Sequence, residues 1–278
     1  MRKISSSKII EKVSSLVVKT NRAIRGEVRE AIEKTFRAET APLSKAYLKI
    51  ILENIDMAKK EKMPVCQDTG LSVFFVKQGC GTIVEAGKYK NIEGLINEGL
   101  KRGSKKGYLR NSVVDPLSRE NTKDNAPGII HLMAGQRNEF EILLMVKGFG
   151  SENKSTLKML NPTEGKEGIE KFVIETVQTA GSAPCPPVFI GIGIGGSFEK
   201  AAVLSKFALC RIGRESPHRQ WENGLKEKIN ALNIGAGGFG GKITAMDIRI
   251  ETYPTHIAGL PVAVNISCWA HRFGSVKL

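Results

Sequence analysis

Residues 188–195, Val-Phe-Ile-Gly-Ile-Gly-Ile-Gly, are an unbroken apolar run. Its length and its isoleucines predict a buried strand, and the residues from Ser197 to about Cys210 predict the helix that follows it. A strand of this kind needs other layers around it, so the chain must supply both strands and helices. The first 60 residues read as helical: Ile9, Val13, Leu16, Val17, Ala23, Ile24, Ala31, Ile32 and Phe36 recur mostly at helical spacing. Pro42 interrupts them, and a second amphipathic helix carries Leu48, Ile51, Leu52 and Ile55 along one face. Short strands follow at 71–76, 128–133 and 140–146, a helix at about 166–180, and late strands at 243–252 and 261–267. No regular βαβ rhythm emerges. The expected architecture is mixed α/β in one domain, 1–278, with a helical lobe at 1–60 and a mixed-sheet layer from 61 to 278.

Two glycine patterns invite a nucleotide reading. GIGIGG (191–196) follows a strand and opens a helix, as a dinucleotide site requires, yet Glu215 lies in RIGRESPHRQ rather than at a strand end. GAGGFG (235–240) runs into a strand, not a helix. Backbone stripped of Cβ atoms still allows N–H groups to approach an anion or a cluster. No Walker-type phosphate loop is present.

Lys and Arg number 42 against 28 Asp and Glu, a net charge of +14 that suggests an anionic partner without choosing one. The basic runs Lys59–Lys62 and Lys101–Lys106 read as solvated helix faces, and no nucleic-acid-binding signature accompanies them. No apolar run approaches the ~18 residues of a membrane span. Glu11 and Lys12 interrupt the only stretch resembling a signal-peptide core, which places the chain in the cytoplasm.

Five cysteines, at 66, 80, 185, 210 and 268, form no CxxC pair. Cys66 in PVCQDTG, Cys185 in APCPP and Cys268 after PVAVNIS each stand at a loop or element end, where ligands usually sit. Cys80, in a turn, is the rival ligand, and Cys210 on AAVLSKFALC reads as core packing. His131 reads as structural and His218 as exposed.

Taken in order, PVCQDTG, KGFGSENKS, APCPPVFIGIGIGGS, NIGAGGFGGKITAMDIRIE and THIAGLPVAVNISCWAHR resemble the α subunit of class I iron–sulfur hydro-lyases, which include class I fumarases and L-tartrate dehydratases. The resemblance runs from about residue 8 to the last residues. It implies a four-iron–four-sulfur cluster on Cys66, Cys185 and Cys268, with one iron left open as a Lewis acid. By the same motif match, Gln67 and Asp68 contact substrate, Asp68 either hydrogen-bonding the hydroxyl or helping to handle its proton. Arg110 pairs with a substrate carboxylate, Lys106 and Arg102 standing as alternative counterparts. Gly150 offers a backbone N–H to a carboxylate, and His256 positions substrate or relays a proton. Lys147 and Lys154 flank the glycine loop, either steering an anion or lying solvated.

Single-chain members continue into a second half, whereas this chain stops ten residues after Cys268. The expectation is an α subunit needing a separate β subunit for the base and further carboxylate-binding groups, in a higher oligomer of αβ units. The leading reading is malate–fumarate interconversion, a tricarboxylic acid cycle step. L-tartrate dehydration to oxaloacetate is the alternative, and a nucleotide- or nucleic-acid-binding protein the distant one.

Overall fold

The computed structural model describes residues 1–278. Its three N-terminal helices are α1 (Ser6–Arg22), α2 (Gly26–Ala38) and α3 (Pro42–Lys60), preceded by β1 (Arg2–Ser5). Pro42 begins α3, because a proline at the first helical position sacrifices no intrahelical hydrogen bond. No helix is long and apolar enough to cross a membrane.

Two compact units divide the chain: Met1–Arg25, Ile55–Gly148 and Arg272–Leu278 form one, Gly26–Asn54 and Phe149–His271 the other. The first 60 residues are therefore shared between units instead of forming a lobe. The buried face of α1, with Ile9, Val13 and Val17, belongs to the core of the first unit, whereas α2 packs by β8 (Ala245–Tyr253) in the second.

In the first unit a sheet runs β10 (Arg272–Lys277), β5 (Phe140–Lys147), β2 (Leu71–Gln78), β4 (Ile129–Ala134). Strand β2 is antiparallel to β5 and parallel to β4, and β5 is antiparallel to β10. A small parallel pair joins β1 to β3 (Thr82–Glu85). Helices α1 and α4 (Ile92–Gly107) pack together, and Leu95, Ile96 and Leu100 meet Phe74, Val76, Ile142 and Leu144 in one core.

The sheet of the second unit runs β6 (Thr156–Leu160), β9 (Leu260–Ser267), β7 (Val188–Gly195), β8. Strand β7 is parallel to β8 and antiparallel to β9. Period-two alternation assigns the residues of β7 to two faces. Ile190, Ile192 and Ile194 enter a core with Phe172 and Val173 of α6 (Gly165–Ala180) and Leu225 and Ile229 of α8 (Arg219–Asn230). Gly191 and Gly193 face α7 (Phe198–Leu209) so closely that a Cβ at Gly193 would lie 2.1 Å from the Ala201 carbonyl oxygen. These glycines are thus used for helix-on-strand contact inside a buried strand, which removes the dinucleotide reading of GIGIGG.

Candidate functional site

Antiparallel pairing of Phe189 with Ser267 sets the start of β7 beside the end of β9. Cys185, four residues before Phe189, and Cys268, next after Ser267, therefore stand at the same end of this sheet. Cys185 is exposed at φ 55°, a left-handed conformation that costs a side-chain-bearing residue about 1–3 kcal/mol. Its loop is braced by the second glycine stretch, where the Gly237 N–H donates to the Pro186 carbonyl at 2.8 Å. That stretch is in turn held by Ser44, whose hydroxyl donates to the Ala236 and Gly240 carbonyls, and by the Lys242 N–H donating to Glu39 Oε2 at 3.0 Å. GAGGFG is consequently a support for the Cys185 loop.

Gly150 lies in the one-turn helix α5 (Phe149–Glu152), and the nearest atom a Cβ there would meet is the Ala183 carbonyl oxygen, on the Cys185 loop. Asn265 of β9 holds α5 by donating to Glu152 Oε2 at 3.1 Å, while Lys206 of α7 takes Glu152 Oε1. His256 is elsewhere. It is exposed in the loop between β8 and β9, at the far end of the sheet, and the length of β7, roughly 25 Å at ~3.3 Å per residue, separates that end from the two cysteines.

In the first unit, Cys66, Gln67 and Asp68 occupy the loop that enters β2, with Cys66 half-buried and Gln67 exposed. The Asp68 Oδ1 accepts the Gly70 N–H at 2.8 Å, and Gly70 sits at φ 62° with the Lys147 carbonyl 2.7 Å from where its Cβ would be. Thr69 donates its hydroxyl to the Arg110 carbonyl at 2.7 Å and lies 2.9 Å from the Ser112 hydroxyl. Asn125 adds a second donor to Arg110 O at 3.1 Å and accepts the Ser112 N–H at 2.7 Å. These bonds bring the Arg110 loop to the Asp68 loop and leave the guanidinium exposed. Arg102 is engaged by Glu98 at 2.6 Å on α4, and Lys106 is exposed near its end.

Two cations that sequence reasoning left unassigned or ambiguous belong here. Lys147 is 1 % exposed, its Nζ donating to the Gly148 carbonyl at 3.3 Å, so it is not solvated. Arg272, also 1 % exposed, donates to the Asp68 carbonyl at 2.7 Å and to Asn21 Oδ1 at 3.2 Å. Asp68 Oδ2 and Arg272 Nη2 both flank Gly148. Two buried cations therefore lie close to the half-buried Asp68 carboxylate. The available signal was Lys147 at the end of an apolar strand and Arg272 closing the last motif.

The remaining flagged residues have local roles. Lys154 is half-buried. Cys210 is fully buried, and burial pushes its thiol far up. Cys80 is exposed between β2 and β3, and His131 stacks on Phe75 at 5.1 Å. His218 is half-buried, 6.3 Å edge-on from Trp221. His271 is buried between the Ser267 hydroxyl and the Leu209 carbonyl, both at 2.9 Å. A carbonyl only accepts, so Nε2 carries the proton there.

None of the five cysteines is in a disulfide. No three His, Cys, Asp or Glu side chains are gathered as a preformed metal site. In donor chemistry, exposed or half-buried thiols on braced loops suit an iron–sulfur cluster better than a hard cation.

A family model described as fumarate hydratase (fumerase) matches residues 10–277. The chain is 43 % identical over 274 residues to a putative L(+)-tartrate dehydratase subunit alpha of Methanocaldococcus jannaschii, covering 94 % of this chain and 95 % of that one. It is 31 % identical over 278 residues to the L(+)-tartrate dehydratase subunit alpha of Escherichia coli K12, covering 97 % and 90 %.

Proposed function

From the premise that the chain belongs to the fumarate hydratase family of class I iron–sulfur hydro-lyases, we propose that it is the α subunit of an L-tartrate dehydratase. The 43 % identity across nearly the whole of both chains carries this reading. It favours the tartrate alternative over the malate–fumarate expectation, which rested on general likeness. Relatives named as α subunits support a separate β subunit, to which we assign the base and further carboxylate-binding groups.

The thiolates of Cys66, Cys185 and Cys268 would hold a four-iron–four-sulfur cluster, which when bound supplies a Lewis acid for the substrate's hydroxyl and a carboxylate oxygen. Arg110 clamps a carboxylate through its planar guanidinium fork. Gly150 contributes a backbone N–H to the dianion, and Gln67 orients the hydroxyl. Asp68 accepts a hydrogen bond from that hydroxyl and handles its proton, held in place by the Gly70 N–H and by Arg272. Lys147 and Arg272 support this loop from buried positions. His256 is kept as the proton relay, although it lies at the opposite end of its sheet from Cys185 and Cys268.

The test is anaerobic co-expression with the β partner, followed by rates with L-tartrate and L-malate. Oxaloacetate formation from tartrate should exceed fumarate formation from malate, and Cys185→Ser should lose both iron and activity. Faster turnover of malate would return the assignment to a fumarase.

A further inference from the structure

The basic run Lys101–Lys106 is more than a solvated helix face. Lys101, Arg102, Ser104 and Lys105 of α4 join Tyr108 and Lys123 around a cleft of about 390 Å³. That volume is in the range of small-ligand sites. Cations in a last helical turn are commonly explained by the helix dipole. That account does not cover Lys123, which comes from a separate turn, fixed at φ 65° by its N–H donating to Asn121 Oδ1 at 2.7 Å. Lys101 is matched by Asp124 at 2.9 Å and Arg102 by Glu98 at 2.6 Å, whereas Lys105 and Lys123 pair with no carboxylate. The cleft therefore carries charge that the fold does not neutralise.

A second observation points to a ligand. Ser104 lines the cleft, is 3 % exposed, and its hydroxyl has no hydrogen-bond partner. A buried hydroxyl in that state is costly unless something polar enters. Beside it stands Tyr108, 86 % exposed, the left-handed C-cap of α4 at φ 54°.

We propose that this cleft binds the phosphate of a small ligand, with Lys105 and Lys123 paired to phosphate oxygens and the Ser104 hydroxyl donating to a third. Ion pairs and charge-assisted bonds suit a multiply charged oxyanion here. The ring of Tyr108 offers a stacking face if the phosphate belongs to a nucleotide.

Calorimetric titration of the full chain with pyrophosphate, and separately with ADP, tests the assignment. Lys105→Met and Lys123→Met should each weaken pyrophosphate about tenfold, and Ser104→Ala severalfold, with binding falling as salt rises. Unchanged thermal unfolding in the lysine variants shows that they fold. A free phosphate source gives equal affinity for both probes and indifference to Tyr108→Ala. A nucleotide source gives tighter ADP binding that this variant alone removes. Silence toward both probes, affinity unmoved in the double lysine variant, or preferential binding of single-stranded RNA would each overturn the proposal.

Discussion

The Thr69 hydroxyl donates to the Arg110 carbonyl oxygen at 2.7 Å, tying the loop of Cys66, Gln67 and Asp68 to the loop that presents the exposed arginine. Asn125 supports the same carbonyl from the other side. Thr69→Val keeps the shape and removes the donor, so stability should fall by only about 1 kcal/mol. The kinetic effect should be larger and selective. A displaced Arg110 raises KM for the dicarboxylate by about tenfold while kcat changes less. Equal effects on kcat and KM would show that the bond serves the fold alone.

Gly193 makes an equally direct prediction. A Cβ there would lie 2.1 Å from Ala201 O and 2.6 Å from Ser205 N, both backbone atoms of α7. Gly193→Ala must push the helix off β7, at a cost of about 3 kcal/mol or more in urea unfolding. A neutral result would mean that α7 does not sit this close to the strand.

What the chain discloses before folding follows from how local each signal is. The limits of β7, 188–195, are readable because the apolar run and its flanking turn residues are contiguous. The loops of Cys66 and Cys185 are readable for the same reason, since prolines and glycines mark element ends, and Cys268 is readable from the end of the apolar strand before it. The burial of Lys147 is not, because a lysine reads as solvated unless the partner loops around it are known. The position of His256 is hidden too: twelve residues separate it from Cys268, but β9 lies between them and carries the chain across the sheet. Short elements such as β6 and β10 depend on pairing with distant strands and leave little local pattern.

A buried ion pair closes the outer edge of β8. Arg249 Nη1 donates to Glu222 Oε2 at 3.0 Å, and Glu222 Oε1 accepts the Ile250 N–H at 2.9 Å and the Ser216 hydroxyl at 2.7 Å. Arg249→Met leaves the fully buried Glu222 carboxylate with only the longer Arg219 ion pair, 3.8 Å away, and should cost about 3 kcal/mol. Combining it with Glu222→Leu should restore part of that loss, because the double variant leaves no unpaired charge. Additive losses in the double-mutant cycle would contradict the coupling.

Thiol labelling separates the cysteines by environment. The native chain should react at Cys80 and Cys185, both exposed, and spare Cys210, where burial suppresses the thiolate that reacts. Mass spectrometry after brief alkylation should show this order, and denaturant should expose Cys210. Rapid native labelling of Cys210 would mean that α7 opens readily.

Glu251 gives the second unit a pH dependence of a defined sign. Burial pushes its carboxyl up, against the pull of Arg211, whose Nη1 donates to it at 2.8 Å. A raised folded pKa means that the folded chain binds the proton more tightly than the unfolded chain does. The associated stability is present in full below the unfolded value, about 4.3, and is lost as pH rises through the raised folded value. Glu251→Gln removes this titration. Relative to that variant, the native chain should become steadily less stable from about pH 4 upward, until Glu251 is ionised in the fold. Unfolding measured across that range should show the gap between the two proteins shifting in this direction, and a gap that shifts the opposite way would mean the Arg211 pair outweighs burial.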